Sequence, residues 1–136
     1  LITTQTEDLG PAELAETVIQ LAKKYEASVT QIIGDDLLKK NYPAIHAVGR
    51  ASTRKPRLID LSWGGAKNPK LTLVGKGVCF DSGGLNLKPG SSMLFMKKDM
   101  GGAANAIGLA EMIMAVKLPV KKISIKAKLL MEVLYL

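Results

Sequence analysis

Six ionisable residues crowd into one stretch of this 136-residue chain: Lys76, Asp81, Lys88, Lys97, Lys98 and Asp99, within KGVCFDSGGLNLKPGSSMLFMKKD. Lys76 directly follows the apolar run Leu71-Thr72-Leu73-Val74-Gly75. That run reads as a buried parallel strand, and open α/β sheets keep their ligand sites beyond the carboxyl ends of such strands. Lys76 is therefore expected at the rim of a cleft. Asp81 follows in a turn made permissive by Gly83 and Gly84, and Asp99 precedes Gly101-Gly102 at the head of an apolar helix. Two carboxylates and two amines can thus converge on one point.

Each residue also has a plain structural use. Lys76 and Lys88 can be surface lysines, Asp81 a turn residue, Asp99 a helix cap and Gly83-Gly84 a tight turn. The spaced set as a whole favours the chemical reading. Rival chemistries lack their motifs. Phe80 stands where a nucleophile elbow around Ser82 needs its first glycine, and neither a phosphate-binding loop nor a dinucleotide fingerprint occurs.

The segments VGKGVCFDSGGLNLKP and MKKDMGGAAN resemble the leucyl aminopeptidase family of two-metal exopeptidases, matching its Lys, Asp, Lys, Asp order without a gap. The likeness runs from about Leu1 to Val120. It implies a three-layer α/β/α fold with a mixed, mainly parallel sheet, in which residues 1–136 form a partial catalytic domain. It also implies that Lys76, Asp81 and Asp99 are metal ligands, with Asp81 bridging two ions, and that Lys88 is catalytic. Lysine ligates only as a neutral amine, a state that burial assists. Lys88 would instead stay charged and stabilise an oxyanion.

The implied cofactors are two divalent ions, zinc or manganese or else magnesium. The family's later motif, NTDAEGR, supplies a further Asp, Glu and Arg, and no such motif occurs in these 136 residues. One ion at most is therefore expected to bind well. The implied function is dimetal-dependent hydrolysis of N-terminal residues from peptides with a free amino terminus, in a hexamer of identical subunits. The alternative is a catalytically inactive, truncated homologue that binds a partner subunit or nucleic acid.

Composition is that of a globular protein, with 47% hydrophobic and 23% charged residues. No apolar stretch reaches the roughly 18 residues of a membrane span and no signal peptide is visible, so a cytoplasmic location is expected. Leu1 in place of a methionine suggests a processed product or a fragment. The net charge of +7 invites an anionic partner around Arg50, Arg54, Lys55 and Arg57. These cations lack interleaved aromatics, and the solvated-surface reading is preferred over nucleic-acid binding. Cys79 is the only cysteine and reads as a small buried hydrophobe. His46 is the only histidine and, lacking a cluster, reads as a packing or surface residue.

The elements that must position the site alternate along the chain. Leu1 to Thr6 look extended. Gly10-Pro11 opens a helix carrying Leu14, Val18, Leu21, Ala22 and Tyr25 on one face. Ser28 to Ile33 read as a strand and Leu37 to Tyr42 as a helix, followed by a short helical or irregular piece over Pro43 to Ser52. Arg57 to Trp63 alternate as a strand, joined by Gly64-Gly65 and Asn68-Pro69 to the strand Leu71 to Gly75 as a hairpin-like pair. Ala103 to Val116 form a helix apolar on nearly every side, and Ile123 to Leu129 alternate as a last strand. The apolar residues from Leu129 to Leu136 are expected to be sticky if nothing covers them.

Overall fold

A computed structural model describes residues 1–65, 70–119 and, by their backbone, 122–132. Helix α1 spans Pro11–Lys24. Its proline fits the first turn, the Glu13 carboxylate accepts from the Gly10 N–H at 3.0 Å, and Lys23 and Lys24 close the last turn against the helix dipole. Leu14, Ala15, Val18, Leu21 and Ala22 are its buried stripe. Strand β1 spans Ser28–Ile33, α2 Asp36–Lys39, α3 Pro43–Gly49 and β2 Arg57–Trp63. Strand β3 runs over Lys70–Asp81, α4 over Gly90–Met93, a 3-10 turn over Met96–Met100, α5 over Gly101–Ala115 and β4 over Lys122–Glu132.

The strands lie in the order β1-β2-β4-β3. β2 is antiparallel to β1 and to β4, and β3 is parallel to β4. Three of the four described strands therefore share one direction and β2, lying between two of them, runs against them, so the sheet is mixed. One face carries α1 and α5 over Ile59, Leu61 and Cys79, and the other carries α2 and α3 over Leu58 and Val78. Alternate residues of β2 and β3 feed opposite layers, which makes the three-layer α/β/α arrangement.

Several expectations change. β2 and β3 are not a hairpin-like pair, because β4 lies between them. β3 is an edge strand among those described and is longer than expected, so Leu71 and Leu73 are half-buried and Val74 is exposed. Its buried part is the later half, Gly75 and Gly77 to Cys79. Residues 1–6 are not extended; a turn closes with Thr4 N–H on the Leu1 carbonyl at 3.1 Å. Helix α5 buries Ala103, Ala106, Ile107, Ala110, Ile113 and Met114, while Leu109, Met112 and, just past its end, Val116 are exposed. Sequence could not separate these two faces, since both are apolar. The turn at Asn68-Pro69, the side chains of β4 and the residues after Glu132 lie outside the described residues.

Candidate metal centre

Lys76 and Asp81 both stand on β3, five residues apart. Simple alternation would put them on opposite faces of the strand. The pairing with β4 shifts between Val78 and Asp81, with Val78 opposite Leu130 and Asp81 opposite Glu132, so β3 holds one residue more than its neighbour. That bulge returns Asp81 to the face of Lys76 and Val78, the re-aiming for which bulges are used beside functional sites.

Asp99 comes from the 3-10 turn before α5, and the head of that helix lies hard against β3. A Cβ on Gly75 would sit 2.6 Å from Ala103 Cα, and one on Gly102 would sit 3.1 Å from the Lys76 nitrogen. Two glycines thus bring Asp99 within reach of Lys76. The Lys76 amine straddles the Asp99 carboxylate, donating to Oδ1 at 2.9 Å and lying 2.8 Å from Oδ2.

Lys88 is placed by the loop after β3. Gly83 takes φ +90°, where a Cβ would lie 2.3 Å from the Asn86 carbonyl oxygen and 3.0 Å from the Lys88 nitrogen. The Gly83 N–H donates to Asp81 Oδ1 at 2.9 Å, and the Lys88 N–H donates to the Ser82 carbonyl at 2.9 Å. The Lys88 amine then lies 3.4 Å from Asp81 Oδ2. So the four residues read from the sequence form two acid–amine pairs, Lys76 with Asp99 and Lys88 with Asp81. Lys97 is half-buried and Lys98 exposed, and neither has an ion pair among the described residues.

Sequence reading missed what braces this strand end. The Thr6 hydroxyl donates to the Cys79 carbonyl at 3.1 Å, at the bulge itself. Arg54 holds the same N-terminal segment, its Nη1 donating to the Thr6 carbonyl at 2.9 Å and its Nη2 to the Glu7 carbonyl at 2.7 Å. The Cys79 thiol is buried, and burial pushes its pKa up to about 12, so it is no nucleophile.

Among the described residues no three His, Cys, Asp or Glu side chains cluster as a metal site. The carboxylates number two, and an amine must supply the third donor. The fit to a divalent ion rests on the chemistry of the donor set, two largely buried carboxylates, Asp81 and Asp99, with a lysine amine beside each.

Comparison with known proteins is consistent with this geometry. Residues 1–129 match the sequence model described as "Cytosol aminopeptidase family, catalytic domain". A protein named "Probable cytosol aminopeptidase" from Legionella pneumophila (strain Paris) is 42% identical over 119 residues, covering 86% of this chain and 25% of that protein. The crystal structure of a cytosol aminopeptidase from Coxiella burnetii superposes with a TM-score of 0.95 at 55% identity, covering 99% of this chain and 29% of that one. A bottromycin maturation enzyme in complex with Mn superposes with a TM-score of 0.90 at 31% identity, covering 98% of this chain and 29% of that one. This chain spans about a quarter of the length of the curated relatives it matches.

Proposed function

The chain belongs to the cytosol aminopeptidase family, and from that membership we propose that it supplies the first half of a dimetal aminopeptidase site acting on peptides with a free amino terminus. The observation that carries this is the pairing of Asp99 with Lys76 and of Asp81 with Lys88 at one bulged strand end. Residues 1–136 are then part of a catalytic domain. Lys76, Asp81 and Asp99 would hold divalent ions, zinc or manganese or magnesium, and Asp81, with a carboxylate that can be shared, would bridge two of them. Bound there, such ions supply Lewis-acid polarisation of a carbonyl and a nucleophile at neutral pH.

This chain's own residues have distinct tasks. Lys76 would hold an ion through its amine as a neutral donor, and Asp99 beside it would hold the same ion through its carboxylate. Lys88, charged and braced by the Gly83 turn, stabilises the oxyanion that forms as the carbonyl is attacked. The names of the relatives support a cytoplasmic location. Among the described residues no helix is long and apolar enough to cross a membrane. Assembly of identical subunits is part of the same proposal.

The test is Lys88→Ala in the complete polypeptide that carries this chain, assayed on leucyl-p-nitroanilide with manganese or zinc. Metal content should be unchanged while kcat falls about 10²-fold or more. Unchanged turnover would overturn the role of Lys88. For the 136 residues alone, calorimetry should find at most one tight divalent site, because only three donors are present. Two tight sites would refute that count.

A further inference from the structure

The basic cluster Arg50, Arg54, Lys55 and Arg57 stands outside the peptidase reading, and the structure divides it. Arg54 is committed to the carbonyls of Thr6 and Glu7. Arg57 is half-buried, donates through Nη1 to Gln31 Oε1 at 3.3 Å, and has its pKa drawn down by burial. Arg50 and Lys55 are exposed and have neither an ion pair nor a hydrogen bond from their side chains among the described residues. Both line a cleft of about 540 Å³ that opens beyond the carboxyl end of β1, with Gly34, Asp35, His46 and Thr53 also in its wall.

The cleft is built rather than accidental. Gly49 packs on Pro56 so closely that a Cβ would lie 2.4 Å from Pro56 Cβ. That contact closes the loop between them and brings together Arg50, which follows Gly49, and Lys55, which precedes Pro56. The Gly34 N–H donates to the Pro56 carbonyl at 2.8 Å and ties this loop to the end of β1. Of the acids in the wall, Asp36 is paired with a lysine, and Asp35 with a histidine that is a cation only when protonated. Asp35 Oδ1 lies 3.0 Å from His46 Nε2, and Asp36 Oδ1 lies 2.6 Å from Lys39 Nζ. Arg50 and Lys55 have no such partner among the described residues, so two uncommitted cations face the cleft, with Asp35 the one carboxylate there that no lysine or arginine balances.

We propose that this cleft is a second ligand site, distinct from the metal centre, for a small oxyanion with two or more negative charges. The Arg50 guanidinium offers a planar fork that matches such oxygens and Lys55 a mobile point charge. The volume falls within the roughly 300–1,000 Å³ of small-molecule sites and leaves room for an organic body beside the anionic group. β1 and β3 are opposite edges of the described sheet, about 14 Å apart at three strand spacings, so the cleft does not share the residues of the peptidase site.

The test is calorimetry on the complete polypeptide, freed of metal by chelation so that no metal ion captures the probe, with inorganic pyrophosphate as titrant. One saturable site per chain is expected. The double variant Arg50→Ala/Lys55→Ala should weaken it about tenfold or more, and salt should weaken it too. Asp35→Asn should tighten binding, because it removes a negative charge from the wall. Lys88→Ala should leave binding unchanged, which separates this site from the proposed peptidase function. The proposal is overturned by absence of saturable binding at millimolar pyrophosphate, by indifference to the double variant, by weakening in Asp35→Asn, or by loss in Lys88→Ala.

Discussion

The two edges of the described sheet carry paired carboxylates in opposite settings, against two lysines at the β3 edge and against a lysine and a histidine at the β1 edge. At the β3 edge the side chains of Asp99 and Asp81 are 21% and 20% exposed, whereas at the β1 edge those of Asp35 and Asp36 are 90% and 62% exposed. Solvated pairs of the second kind contribute little to stability and are easily exchanged. A largely buried carboxylate is different. It must keep a counter-charge, and it will accept either an ammonium or a metal ion. On the proposed reading the β3 carboxylates would exchange an amine partner for a metal ion, while at the β1 edge Arg50 and Lys55 lack an ion pair among the described residues. Burial of the acid, more than the presence of a pair, separates a candidate metal centre from an anion cleft.

The largest test of this contrast is Asp99→Asn in the complete polypeptide. It keeps shape and removes the charge that a bound ion needs, so affinity for zinc or manganese should fall about 10-fold to 100-fold or more, read by calorimetry. Asp36→Asn at the other edge should leave metal affinity unchanged. Next come the glycines. Gly83→Ala forces a Cβ onto a backbone oxygen at positive φ and should cost about 2–3 kcal/mol in urea unfolding, with turnover falling as Lys88 is displaced. Gly34→Ala, at φ +57° with its nearest contact at 3.5 Å, should cost only about 1 kcal/mol. Equal costs would break the contrast between a packed and an open edge.

Cys79 gives a pH readout of the same packing. Its folded pKa is raised from 9.0 to about 12, so below pH 9 both states keep the proton and stability is unaffected. Between those values the unfolded chain ionises and the folded chain does not, so stability should fall as pH rises, by at most about 1.4 kcal/mol per pH unit. Cys79→Ala should lack that component of the alkaline decline in urea titrations. The smallest expected effect is Thr6→Val. Losing the hydroxyl that holds the Cys79 carbonyl should cost about 1 kcal/mol of stability. A disproportionate loss of metal affinity would show that the brace also aims Asp81.

How much was legible differs by residue. Lys76, Asp81, Lys88 and Asp99 stood out because glycines and acids at fixed spacing are local signals, and the structure brings them together as two pairs. The bulge was not legible. It falls at Cys79 and Phe80, between Val78 and Asp81, where no glycine marks it, and it exists only through the pairing with β4. The Thr6 and Arg54 braces join residues 73 and 48 positions apart, beyond any local pattern. The cluster at residues 50–57 was visible as charge, but its division into two committed and two free cations required their partners.

The sequence by itself determined the helices and strands whose apolar period is unambiguous, α1, β1 and β2 among them, and singled out Lys76, Asp81, Lys88 and Asp99, which the structure arranges as two acid–amine pairs. Only the tertiary structure decided that β4 enters between β2 and β3, that α5 has a dry and a wet face, and that Asp81 turns to the side of Lys76. The physical reason is common to all three. Propensity and spacing act over a few residues, whereas strand neighbours, burial and bulges are set by contacts between segments far apart in the chain.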